Sequence, residues 1–153
     1  MQAVILAGGQ GTRLRPYTTI IPKPLLPIGN FPILEIIIRQ LKFYGFKEII
    51  ISTGYLSELL KTFFGNGKKF GVSISYVYET KPLSTAGPLK LIKNLDNNLL
   101  VMNGDILTNL NFKKLFSFHE QKNCDATICI QKHKILLDYG IIKLNKNLFE
   151  DYV

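Results

Sequence analysis

The chain has 153 residues, 46% of them hydrophobic, which matches one globular domain with enough apolar material for a core and leaves little room for a second. Its formal charge of +8 is scattered along the chain, mostly as lysine beside Arg13, Arg15 and Arg39, without the basic stripe interleaved with aromatics that marks a nucleic-acid partner. No charged leader and apolar segment of signal-peptide type opens the sequence, and no apolar run approaches membrane-spanning length, so a soluble, cytoplasmic protein without membrane contact is expected.

The first apolar run, QAVILA at 2–7, reads as a strand. It leads into a connection from Gly8 to Asn30 that carries Gly8, Gly9 and Gly11 and then prolines at 16, 22, 24 and 27. Structureless loops of that length are uncommon in compact domains unless they are functional. FPILEIIIRQLKFYG at 31–45 spaces Ile33, Leu34, Ile37, Ile38, Leu41 and Tyr44 for a helix that stops at Gly45. EIIIST at 48–53 reads as a second strand, Leu56–Phe64 as a second helix ended by Gly65, and SISYVYE at 73–79 as a third strand. Thr85–Lys93 predicts a third helix, NLLVMN at 98–103 a fourth strand, and Phe112–Gln121 a fourth helix with Asn111 as its N-cap.

Two further strands are expected at ATICIQK, 126–132, and GIIKL, 140–144. Cys124 and Cys129 lie five apart in a strand-like run, so they point to opposite faces and form neither a CxxC nor a metal pair; they read as buried thiols of a reducing compartment. His119 and His133 lack any ligand spacing and read as surface residues. The alternation of strands and helices argues for a single α/β domain, a three-layer α/β/α sandwich around a mostly parallel sheet.

The opening loop carries the chemistry. Glycines directly after a strand let the backbone turn sharply and aim N–H groups at an anion with no side chain in the way. Arg13, Arg15 and Lys23 then supply positive charge, and no acidic residue precedes Glu35 to neutralise it. The prolines hold the backbone extended, so Lys23 is presented at low entropic cost. The loop is neither a P-loop, since the lysine and Ser/Thr are missing from GGQGTR, nor a G-x-G-x-x-G turn.

The string AGGQGTRLRPYT followed by PKPLLPIGNFPILE resembles the signature of the sugar-1-phosphate nucleotidylyltransferases, most closely the mannose-1-phosphate guanylyltransferase-like members. YETKPLSTAGPL at 78–89, VMNGDILT at 101–108 and DYG at 138–140 continue the match in order along nearly the whole chain. The resemblance implies a Rossmann-like sheet of the nucleotide-diphospho-sugar transferase type, with spatial strand order 3-2-1-4 in the first half. It also implies transfer of a nucleotidyl group from an NTP to a sugar 1-phosphate, with release of pyrophosphate and Mg²⁺ as cofactor.

Residue by residue, the resemblance implies that Leu6, Ala7, Gly8, Gly9, Gly11 and Thr12 wrap the nucleotide, that Arg13 binds the departing pyrophosphate, and that Lys23 contacts phosphate at the reacting centre. These two cations are the expected catalytic residues. Glu79, Ser84, Thr85 and Gly104 would complete the nucleotide site, Tyr139 and Gly140 would lie beside the sugar, and Asp105 would hold the metal. A carboxylate at 79 accepts from the N–H groups of guanine, which leans the reading towards GTP. Ser84 departs from the family's usual glycine.

In the family the chain continues past DYG to an EKP-type motif and a second metal-binding aspartate, and neither is present here. The sequence therefore reads as a nucleotide-binding part with an incomplete sugar-binding part, for which self-association or a partner chain is expected. An enzyme and a nucleotide-binding module without turnover both remain open at this point.

Overall fold

The computed structural model describes residues 1–81, 83–133, 139–140 and 142–152. The chain opens with β1 (Gln2–Ala7), passes through short 3-10 turns at Thr12–Leu14, Tyr17–Thr19 and Lys23–Leu25, and forms a small antiparallel pair of β2 (Pro27–Ile28) and β3 (Phe31–Pro32). It then builds α1 (Ile33–Phe43), β4 (Glu48–Thr53), α2 (Ser57–Phe64), β5 (Ser73–Tyr78), a 3-10 turn at Gly87–Leu91, β6 (Leu99–Asn103), α3 (Phe112–Lys122), β7 (Ile142–Asn145) and β8 (Leu148–Tyr152). The main sheet is parallel, in the order β5-β4-β1-β6, which is the expected 3-2-1-4.

The period-2 alternation of the strands decides where the core sits. Ala3, Ile5 and Ala7 of β1 share a face with Ile49 and Ile51 of β4, Ile74 of β5 and Met102 of β6. Onto that face α1 lays Leu34, Ile37, Ile38 and Leu41, α2 lays Leu60 and Phe64, and α3 lays Phe112. Tyr44, Phe46, Phe112 and Phe116 meet edge to face there. Fully burying one such Leu or Ile contributes roughly 1.5–3 kcal/mol, so the spacing Leu34, Ile37, Ile38, Leu41 accounts for most of what fixes α1. The first acid of the chain, Glu35, is buried on this helix, where Arg39 donates to its Oε1 through Nε at 2.8 Å and Nη2 at 2.6 Å.

The second face of the sheet carries Gln2, Val4, Ile50, Ser75 and Val101, and its cover is the crossover from β5 to β6. Gln2 fastens that crossover, donating from Nε2 to Asn94 O at 3.2 Å and accepting at Oε1 from Asp96 N at 3.0 Å. The helix expected over Thr85–Lys93 is corrected to the 3-10 turn Gly87–Leu91. Pro88 has no N–H and disfavours helical geometry at Gly87, and Ile92 is already extended, which leaves too few residues to propagate an α-helix.

The other helices form as the spacing predicts. α3 starts at the Asn111 cap, whose Oδ1 accepts from Lys114 N at 3.0 Å. The run 126–132 forms no strand: it is unpaired, with Ile128 82% and Ile130 92% exposed, and an apolar alternation without a neighbouring edge has no ladder to join. Cys124 and Cys129 are accordingly exposed thiols and not buried ones. His133 is exposed as expected, whereas His119 is half-buried, its Nδ1 2.9 Å from Thr127 Oγ1. The expected strand at 140–144 is β7, shifted to Ile142–Asn145, and it pairs with the unanticipated β8. Lys146 and Asn147 between them have φ of 45° and 68°, the two positive angles that a tight hairpin needs. Within the expected DYG motif, Asp138 lies outside the described residues, as does Ile141 of the expected strand. No helix among the described residues is long and apolar enough to cross a membrane.

Candidate nucleotide site

From β1 the chain goes to β4 and β5 on one side and then returns to β6 on the other, so the strand order reverses between β1 and β6. In open α/β sheets the crevice outside the carboxyl ends of the strands, at such a reversal, is where ligands bind. Three connections emerge there and approach one another backbone to backbone. Gly104 N donates to Leu6 O at 2.9 Å, joining the ends of β6 and β1. A Cβ on Gly54, just past β4, would stand 3.0 Å from Gly8 O. Gly104 is buried, and a Cβ on it would crowd Ile5 at 3.3 Å.

The glycine loop is held open by its own residues and by β4. Gly11 has φ of 61°, and the Thr18 hydroxyl donates to Gly11 O at 2.8 Å. Tyr55 Oη, from the turn after β4, donates to Thr19 O at 2.8 Å. Gly9 and Thr12 are exposed, as are Arg13 and Arg15, and neither arginine pairs with a carboxylate among the described residues. Pro22 and Pro24 are buried on either side of Lys23, which anchors the backbone while the ammonium group projects outward. Lys23 Nζ donates to the carboxylate of Asp105, which directly follows Gly104, so cation and carboxylate from segments 82 residues apart meet at the reversal point.

Glu79 leaves the end of β5 and turns back towards the same loop. Its N donates to Thr53 O at 2.8 Å, and its Oε1 accepts from Ser52 Oγ at 2.7 Å. A Cβ on Gly8 would fall 2.4 Å from that oxygen, so glycine is required at 8 for the carboxylate to lie there. The structure thus gathers Leu6, Ala7, Gly8, Gly104, Asp105, Lys23 and Glu79 at one edge. Ser84 and Thr85 are exposed on the following loop. Ser84 adopts φ of 61°, a conformation that glycine takes without cost and an L side chain does not.

Tyr139 and Gly140 are placed differently. Tyr139 is 76% exposed, and a Cβ on Gly140 would fall 2.0 Å from Tyr152 Oη of β8, so Gly140 packs against the hairpin. Asp105 is the carboxylate expected to hold a metal, and its side chain lies partly exposed at the strand reversal. No group of three or more His, Cys, Asp or Glu side chains gathers among the described residues. A single carboxylate in a partly open crevice fits Mg²⁺, which keeps waters and takes substrate phosphates, and does not fit a metal caged by protein alone.

Sequence reasoning missed Ser52, Gly54, Thr18 and Tyr55, which brace the site from behind. The signal for the first was present, a serine that directly follows the apolar run of a buried strand in EIIIST.

The nucleotidyl transferase family matches residues 2–150. The chain is 39% identical over 147 residues to a mannose-1-phosphate guanyltransferase of Yarrowia lipolytica, covering 93% of this chain and 40% of the relative. It is 34% identical over 162 residues to a UTP–glucose-1-phosphate uridylyltransferase of a Synechocystis species, covering 96% of this chain and 42% of that protein. The crystal structure of HddC from Yersinia pseudotuberculosis complexed with GMP-PN superposes with a TM-score of 0.67 at 30% identity, over 77% of this chain and 53% of that one. The chain thus spans less than half the length of these two curated relatives.

Proposed function

The chain belongs to the nucleotidyl transferase family, and we propose that it forms the nucleotide-binding part of a sugar-1-phosphate nucleotidylyltransferase that uses GTP and a mannose-1-phosphate-like substrate. The observation that carries the reading is the meeting of Lys23 with Asp105 at the strand reversal, beside a glycine loop whose arginines pair with no carboxylate among the described residues. Phosphate chemistry needs this combination of cation, backbone N–H groups and carboxylate.

In the proposed reaction a phosphate oxygen of the sugar 1-phosphate attacks the α-phosphorus of the NTP. The new P–O bond forms as the bond between α-phosphorus and bridging oxygen breaks, and pyrophosphate leaves with that electron pair. No covalent nucleophile on the protein is needed. The two reactants are both anions and repel, so the protein's work is alignment and charge neutralisation. The N–H groups of Gly8 to Thr12 orient the nucleotide phosphates, Arg13 neutralises the β- and γ-phosphates that depart, and Lys23 lies over the reacting phosphate. When bound, Mg²⁺ held by Asp105 and the substrate phosphates would supply further charge neutralisation at these oxygens. Glu79, with its Oε2 unpaired among the described residues, supports guanine, which offers N–H donors on one edge where uracil and thymine offer one.

A pyrophosphate-release assay across the four NTPs and a panel of sugar 1-phosphates, run beside calorimetric NTP binding, tests the proposal. Binding that requires Mg²⁺ and favours GTP, with release stimulated by mannose 1-phosphate, is the expected outcome. NTP binding without release under any sugar phosphate would favour a binding module without turnover. No binding of any NTP would overturn the reading.

A further inference from the structure

We propose that Ser52 is a positioning residue for nucleobase recognition, acting by fixing the carboxylate of Glu79; the inference rests on the proposed role of Glu79 at the base. Ser52 is the next-to-last residue of β4 and has no exposed surface; it is in register with Leu6 of β1 and Val77 of β5, and so stands on the same face of the sheet as both. Glu79 continues the row of Ser75 and Val77 one step past the end of β5, which brings its carboxylate over Ser52.

The hydroxyl of Ser52 has one proton to give, and it goes to Glu79 Oε1 at 2.7 Å. That same oxygen sits where a Cβ of residue 8 would be, 2.4 Å from the ideal position. Oε1 is therefore clamped between the floor of the sheet and the first glycine of the loop. Oε2 has no partner among the described residues, and no buried polar side-chain atom there lacks one, so Oε2 faces solvent. A carboxylate held by one oxygen, with the other free at the mouth of a glycine loop, is a preorganised acceptor for a base N–H. Without Ser52 the carboxylate is free to rotate towards water, and each guanine contact has to reorder it.

The structure separates this role from mere packing. Serine to alanine removes one oxygen from a site whose remaining atoms are unchanged. It should therefore alter the choice among bases more than it alters binding of the phosphates, which Ser52 does not approach.

The test is calorimetric binding of GTP and UTP with Mg²⁺ to the full chain and to the variants Ser52→Ala, Ser52→Thr, Glu79→Ala and the double variant Ser52→Ala/Glu79→Ala, each checked for a cooperative thermal transition. Ser52→Ala should lower the GTP-to-UTP affinity ratio about 3- to 10-fold, the range of one net hydrogen bond. Ser52→Thr should restore the ratio by restoring the hydroxyl, and Ser52→Ala should add nothing in the Glu79→Ala background. If Glu79→Ala lowers the ratio and Ser52→Ala does not, the positioning role is overturned and the role of Glu79 stands. An equal loss for GTP and UTP in Ser52→Ala also overturns it, because that is the mark of a structural defect. If Glu79→Ala leaves the ratio unchanged, or no NTP binds, the reading of Glu79 falls and this inference falls with it.

Discussion

Lys23 and Asp105 form an ion pair across the strand reversal, and both side chains keep about a third of their surface exposed, 35% and 33%. A pair this open to water contributes little to stability, about 0–1 kcal/mol. Its place fits the roles proposed for the two partners, Lys23 at the nucleotide's phosphates and Asp105 at a metal. Lys23→Ala should therefore leave the unfolding midpoint nearly unchanged while weakening NTP binding by about 1.5–3 kcal/mol, the worth of a hydrogen bond to a charged group. Thermal denaturation and titration calorimetry on the same preparation check both halves. A large stability loss without an affinity loss would make the pair structural.

Gly11 is constrained twice. Its φ of 61° is left-handed, and a Cβ there would stand 2.9 Å from Thr18 Cγ2. The left-handed conformation alone costs an L side chain roughly 1–2 kcal/mol, and the Thr18 contact adds to that. Gly11→Ala should destabilise the chain by at least about 1 kcal/mol in urea denaturation, or loosen the loop locally and weaken NTP binding instead. Gly9, with nothing within 4 Å of an added Cβ, should accept alanine without stability loss, which makes it the control.

The main strands were legible from their apolar, largely β-branched and aliphatic runs, and the helices because Leu34 to Leu41 and Leu60 to Phe64 keep helical spacing, whereas the order of the sheet came from the family resemblance. The glycine loop stood out by its length and its glycine, proline and arginine content, and its reading as a phosphate site rested on the family resemblance as well. Ser52, Thr18 and Tyr55 were not, since their role is set by partners 7 to 36 residues away that no local pattern announces. The run 126–132 was misread because alternation reports a strand's faces and not whether an edge is there to receive it. The turn at Gly87–Leu91 was misread because Leu89 and Ile92 keep helical spacing, whereas Gly87, Pro88 and the extended Ile92 leave too short a stretch to propagate a helix.

Ser84 stands where the resemblance implies a glycine, and its φ of 61° is an angle that glycine takes without cost. The side chain is exposed, so nothing is gained from its packing. Ser84→Gly should relieve left-handed strain of roughly 1 kcal/mol, offset in part by the greater freedom of glycine in the unfolded chain. Denaturant titration should show unchanged or slightly raised stability, whereas Ser84→Val should lower it because a β-branched residue tolerates positive φ worst. Equal stability of the glycine and valine variants would mean that the loop relaxes to a different backbone.

Tyr76 is the one group among the described residues whose ionisation is clearly displaced: burial pushes its hydroxyl up from the ordinary 10.0 to about 12. It lies on the core face of β5 and donates from Oη to Gly65 O at 2.8 Å, tying that strand to the end of α2. Between pH 10 and 12 the folded chain keeps this proton while the unfolded chain releases it. The unfolded state then binds fewer protons, and stability falls as pH rises through that window. Tyr76→Phe gives up the hydrogen bond, on the order of 1 kcal/mol at neutral pH, but has no proton to lose. Urea unfolding at pH 8, 10 and 11.5 should show the native chain ahead of Tyr76→Phe at pH 8 and the gap closing as pH rises. Parallel profiles for the two proteins would mean that the hydroxyl is solvated in the folded state.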